Sequence, residues 1–232
     1  MPKRTLITML ITFITIPATM AAGVVFWGQR QFYFIALLVI LQAMLPFLLR
    51  FEGRKPQARE LVILAVLVAL AVAGRSAFVT LPQFKPVAAI VIIAGVAFGS
   101  EAGFLVGAVA MFISNMFFGH GPHTPWQMFA MGMIGLLAGL LFKRWKPKLR
   151  QLIALCIFGG LATFVIYGGI MDFHMMLFVL PYPSWAGALT VFMPGLIFNA
   201  IHAASTVVFL AVLAWPLLGK LERVKTKYGL GA

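Results

Sequence analysis

The sequence predicts an all-α membrane protein, a polytopic helical bundle, and three observations carry that expectation. Hydrophobic residues make up 62% of the 232 and charged residues only 10%, whereas a soluble domain carries roughly a quarter of its residues charged. Mean hydropathy is +1.04. The apolar residues fall in long uncharged runs separated by short basic segments, so the expected solvent is a bilayer.

The elements follow in chain order. A hydrocarbon core about 30 Å thick needs roughly 20 helical residues at 1.5 Å each. Runs 5 to 27 and 31 to 49 meet that length, and 61 to 80 does so with a single charge at Arg75. After a Pro-bounded break come 86 to 99, 102 to 118, 125 to 142, 151 to 171 and 187 to 218, giving eight candidate helices. One unbroken helix from 86 to 118 would overrun the membrane by about a dozen residues, so Gly99-Ser100-Glu101-Ala102-Gly103 is expected to be a tight turn. Lys3-Arg4, the apolar run and the small residues Ala18 to Gly23 also resemble a secretory signal. That run continues to Trp27, long enough to span, and a retained helix is expected.

Orientation comes from the basic loops. Of the 18 Lys and Arg residues, all but Arg30, Arg75 and Lys85 fall on one side of this topology, in the clusters 3 to 4, 50 to 59, 143 to 150 and 220 to 227. The positive-inside rule puts that side, with both termini, in the cytoplasm of a cell membrane. The formal net charge of +13 does not indicate nucleic acid, because the basic residues sit between apolar runs and form no basic face on a soluble fold. The single cysteine, Cys156, lies within an apolar run and offers no disulfide framework or paired-cysteine metal site.

Little in the chain suggests catalysis. Of the five acids, Glu52, Glu60, Glu101 and Glu222 belong to cytoplasmic turns or tails, and Asp172 alone is outer, so no acid/base pair forms inside the membrane. The sequence lacks G-x-x-x-x-G-K-[ST], G-x-S-x-G and H-E-x-x-H. Uphill movement of a solute would need an ion gradient or an energising partner. No cofactor and no metal are expected.

The remaining chemistry gathers on the outer side, in Arg75 to Pro86, Phe117 to Trp126 and Met171 to Trp185, which hold His120, His123, His174, Asp172, Arg75, Lys85 and many aromatics. Aromatic walls with a few charged or amide groups suit a pocket for a large organic solute. Trp27, Trp126 and Trp185 suit an interfacial aromatic belt equally well. Arg75 either binds an anionic group or pairs with Asp172. His120 and His123 flank a Gly-Pro turn and, with His174, form a conceivable metal-ligand set, although loop histidines are more often solvated. Asn199 and His202 share one helical face, for ligand contact or interhelical hydrogen bonding. Gly95, Gly99, Gly103 and Gly107 recur every four residues, and Ala65, Ala69 and Ala73 form a second small-residue stripe, so backbones can approach closely at both.

Taken together, Arg59-Glu60 leading into the alanine stripe, Gly74-Arg75-Ser76-Ala77-Phe78, Leu81-Pro82-Gln83-Phe84-Lys85-Pro86, Gly95 to Gly99, and Ser114-Asn115-Met116-Phe117-Phe118-Gly119 running to Pro125-Trp126-Gln127-Met128-Phe129 resemble the S components of energy-coupling factor (ECF) transporters. The resemblance covers about 59 to 218. It implies a six-helix substrate-binding core over 59 to 219, preceded by two extra transmembrane helices and a basic loop in 1 to 58 and followed by a basic tail, 220 to 232. It implies a vitamin ligand taken from outside and delivered inward as the subunit topples on a transmembrane scaffold (T) subunit, docked on Ala65, Ala69 and Ala73, while two cytoplasmic ATPases supply the energy. The expected substrate-binding set is Arg75, Phe78, Phe84, Lys85, Asn115, His120, His123, Trp126, Asp172, His174, Tyr182, Trp185, Asn199 and His202. This version of the motifs looks most like the cobalamin-type S components, so cobalamin or a corrinoid precursor is the expected ligand, with another anionic vitamin as the alternative. A stand-alone secondary transporter would call for an intramembrane acid or an inverted repeat. Neither is evident in the sequence.

Overall fold

The structure, a computed structural model, describes residues 3–27, 31–49, 58–180 and 184–229. These residues form helices with no strand among them. The first pass comprises α1 (Lys3–Leu10), a π-helical turn (Ile11–Thr15) and α2 (Ile16–Trp27); α3 (Phe32–Leu49) returns, and α4 (Ala58–Ala77) crosses again. Then come α5 (Val87–Phe98), α6 (Ser100–Phe118) and α7 (His123–Leu141). The seventh pass joins α8 (Leu149–Leu161), a second π-helical turn (Ala162–Tyr167) and α9 (Gly168–Val179), and α10 (Trp185–Tyr228) completes the bundle. Seven of these passes are long and apolar enough to cross a membrane. The eighth, α5, has 12 residues, or about 18 Å, and is buried almost throughout as the central post of the bundle. A helix that short stays at membrane depth because protein covers it on every side.

The expected turn after α5 narrows to one residue. Gly99 has φ 96° and ψ 174°, a region open in practice only to glycine, and the chain reverses there. A Cβ on Gly103 would lie 2.7 Å from the Cα of Gly95, a proximity that an unbroken helix, with about 12 Å of rise between those residues, forbids. The glycine series also does more than close the hairpin. Cβ atoms on Gly95 and Gly103 would meet the Gly135 carbonyl oxygen at 2.1 and 2.4 Å, and one on Gly107 would meet that of Met131 at 2.6 Å. Gly135 and Gly139 of α7 answer against the backbone of Gly103 and Ser100, and Gly132 leaves room for the Phe104 ring, so three helices pack at close approach.

Both ends of the bundle can be recognised by contact. At one end Lys225 donates to the Ala97 carbonyl at 2.9 Å, and the Arg59 guanidinium lies 4.6 Å from the Tyr228 ring centre. The basic stretches near 59, 143 and 225 therefore share this end with the α5–α6 turn. At the other end stand the C-terminus of α4, the segment 78–86 and the turn 119–122.

Two boundaries differ from the sequence reading. The seventh pass continues from 171 to Val179, so Asp172 and His174 are helical and not part of an outer loop. Gly168 does not end the helix because α10 packs onto it, and a Cβ there would lie 2.4 Å from Asn199 Cγ. Residues 220–228 likewise continue α10 and do not form a separate tail, stopping at Gly229 in the left-handed conformation (φ 61°). The Lys225 and Arg59 contacts hold this extension against the bundle.

Candidate functional site

Three helix ends converge at the end opposite the basic stretches. The last turn of α4 presents Arg75, the last turn of α6 presents Ser114, Asn115 and Phe118, and the first turn of α7 presents Thr124 and Gln127. Arg75 Nη1 donates to Ser114 Oγ at 2.5 Å and Asn115 Oδ1 at 2.8 Å. The Asn115 amide in turn donates to Thr124 Oγ1 at 3.1 Å and Gln127 Oε1 at 2.9 Å. Ser114, Asn115 and Thr124 are buried, where a polar atom without a partner is costly. This relay satisfies them and fixes the guanidinium.

Beside the relay lies a cavity of about 80 Å³ whose polar lining is Arg75, Gln83, Lys85, Gln127, Tyr167 and His202, over Val87, Met111 and Met131. That lining holds two cations and no carboxylate. Arg75 and Lys85 both face the Phe118 ring, at 4.6 and 5.5 Å from its centre; the negative face of the ring suits cations. Burial and then the Arg75 charge push the Lys85 ammonium below the ordinary lysine range, so this corner favours anything that brings negative charge. The segment carrying Lys85 is pinned by Ser205, whose hydroxyl donates to the Lys85 carbonyl at 2.9 Å, and by Phe78 and Phe84, whose rings lie 5.1 and 5.5 Å from Phe209 of α10. Within it Gln83 adopts φ 55°, uncommon for a side-chain-bearing residue.

His120 sits between Tyr33 and Phe112, with ring centres 5.1 and 5.0 Å away, and burial lowers its pKa. His174, buried, stands 5.5 Å from Trp126 and stacks on Phe178 at 6.0 Å. His123 opens α7 against Gly121, where a Cβ would lie 2.8 Å from its ring. Among the described residues no three His, Cys, Asp or Glu side chains come together as a metal site. Asp172 accepts from the Asn199 amide at 2.7 Å, and Arg75 is held by Ser114 and Asn115; the Arg75–Asp172 pair that the sequence allowed does not form. His202 faces Tyr167 edge-on at 4.9 Å. Trp185 is 90% exposed and stands apart from the cavity, while Tyr182 lies outside the described residues.

Sequence reasoning missed Gln83, Ser114, Thr124, Gln127 and Tyr167 as site residues. An amide or hydroxyl within an apolar run was the available signal for Ser114 and Gln127. Nothing in the pattern distinguished Tyr167.

The family model described as ECF-type riboflavin transporter, S component, matches residues 55–223. A UPF0397 protein of Vibrio atlanticus (strain LGP32) is 30% identical over 99 residues, 40% of this chain and 54% of the relative. The chain thus spans about half the length of that curated relative. No solved structure matches. Since the match takes in α4 to α10 and every residue lining the cavity, the chain belongs to the family of ECF-type riboflavin transporter S components.

Proposed function

We propose that this chain is the non-catalytic, membrane-embedded subunit that captures a vitamin for an ATP-driven ECF-type uptake transporter, and that the Arg75–Lys85 cavity is the polar floor of its vitamin site. The observation that carries the reading is the composition of that cavity, two cations and two side-chain amides without a carboxylate, inside a chain of the S-component family. The basic clusters support a topology with both termini and the α5–α6 turn in the cytoplasm, so the cavity opens outward. Binding would use Arg75, Lys85 and His202 directly. Asn115, Phe78 and Phe84 would position them, with His120, His123, Trp126 and His174 as the adjoining wall.

A pocket for an organic ligand usually measures about 300–1,000 Å³, and this cavity is about 80 Å³. The cavity would therefore take only the polar end of the ligand, with the ligand's bulk above this floor. Two vitamins have support. Riboflavin has the family's description; cobalamin, or a corrinoid precursor, has the likeness of the motifs between residues 59 and 129 to cobalamin-type S components and a phosphodiester suited to paired cations. Ala65, Ala69 and Ala73 are exposed along one line of α4, which supports docking of this face on the scaffold subunit, with two ATPases as the energy source.

The test is uptake by a vitamin auxotroph that expresses this chain with a scaffold and ATPase pair. The proposal predicts growth on trace riboflavin or cobalamin that depends on both this chain and ATPase activity. Growth that survives inactivation of the ATPases would favour a secondary transporter.

A further inference from the structure

At the basic end of the bundle, away from the vitamin site, a groove of about 710 Å³ runs between the end of α5, the link after α7 and the last turns of α10. Its lining carries four cations, Lys143, Arg223, Lys225 and Lys227, against one carboxylate, Glu222, which Lys225 engages at 3.4 Å. Trp145 and Trp215 stand in its walls. The groove lies just beyond the end of α7 at Leu141, at the basic end of the bundle. In the topology proposed above that end meets the lipid headgroups, where indoles are favoured. Away from the basic end the α10 wall continues as apolar surface: Val212 shares a face with the lining residue Trp215, and both are exposed.

We infer that this groove binds the headgroup of an acidic phospholipid. Lys143, Arg223 and Lys227 face its phosphate, Trp145 and Trp215 flank its glycerol region, and the acyl chains lie along the Trp215 and Val212 face of α10. Basic pockets between transmembrane helices recognise anionic lipid in this way, because cations at the membrane surface attract the phosphate while the chains remain in hydrocarbon. The inference does not depend on which vitamin binds at the other end.

The experiment is native mass spectrometry of the detergent-purified full chain exchanged with phosphatidylglycerol or phosphatidylcholine of identical acyl chains. Wild-type protein should retain phosphatidylglycerol selectively. Lys143→Gln/Arg223→Gln/Lys227→Gln should lose that selectivity by roughly five-fold per charge removed, while Arg144→Gln/Lys148→Gln/Arg150→Gln, which removes equal charge outside the groove, should retain most of it. Millimolar inorganic phosphate should not displace the lipid, since it cannot use the apolar wall. Equal retention of the two lipids would overturn the proposal and point to an acidic protein face as the occupant. So would equal losses in the two triple variants, which mean diffuse attraction, or displacement by phosphate, which means a site for the free ion. Monodispersity of each variant on gel filtration separates loss of lipid from loss of fold.

Discussion

Arg75 sets the chemistry at the residue scale. Its guanidinium satisfies Ser114 and Asn115, and through the Asn115 amide it organises Thr124 and Gln127. Arg75→Ala removes a cation from the cavity and leaves buried acceptors short of a donor, and hydrogen bonds to charged groups are worth about 1.5–3 kcal/mol. The expected result is a loss of vitamin affinity of at least about ten-fold by calorimetric titration. Arg75→Lys should recover only part of it, because one ammonium cannot reproduce the planar fork; wild-type affinity in Arg75→Ala would remove the residue from the site. Asn199 behaves differently. Its contact to Asp172 ties α9 to α10, so Asn199→Ala should cost stability by about 1 kcal/mol, seen as a lower thermal midpoint in detergent, with affinity unchanged. The sequence marked Arg75 clearly, since a cation near the end of an apolar helix must find a partner. It could not show that those partners would be Ser114 and Asn115 rather than Asp172, because that choice depends on how α4 packs against α6.

Among the elements, the α5–α6 hairpin and α7 depend on glycine for close approach. Gly103→Ala would place a methyl group 2.4 Å from the Gly135 carbonyl oxygen. Backbone cannot yield as a side-chain tip can, and overpacking of this kind costs about 1–3 kcal/mol. A lower thermal midpoint is the expected outcome, and an unchanged one would contradict the packing. The exposed face of α4 makes the opposite prediction. Ala69→Phe should leave vitamin binding by the isolated chain intact but abolish co-purification with the scaffold subunit, because a bulky ring blocks close helix approach. The four-residue glycine spacing made the hairpin legible in advance, and the length of the 86–118 run required a turn. The answering glycines on α7 went unread, since Gly135 and Gly139 gain meaning only opposite Gly95, Gly103 and the Gly99–Ser100 turn. Helix ends were the least legible feature: the apolar runs end at 171 and 218, yet the helices continue to Val179 and Tyr228.

For the whole molecule, a bundle whose described residues form seven long apolar helices and a short buried eighth places a cation-lined cavity at one end and basic stretches at the other. That polarity was visible in the charge pattern, because the bilayer sorts charged residues by side. What the cavity encloses was not visible, since its small volume and its mixture of Gln83, Gln127 and Tyr167 come from loops and helices far apart in the chain. The central claim is that this chain captures a vitamin unaided. Isothermal titration of the detergent-purified chain, without scaffold or ATPase, with riboflavin and then cobalamin tests it most directly. The account predicts saturable binding of one of them with a dissociation constant below about 1 μM; absence of binding to either by monodisperse, folded protein would contradict it.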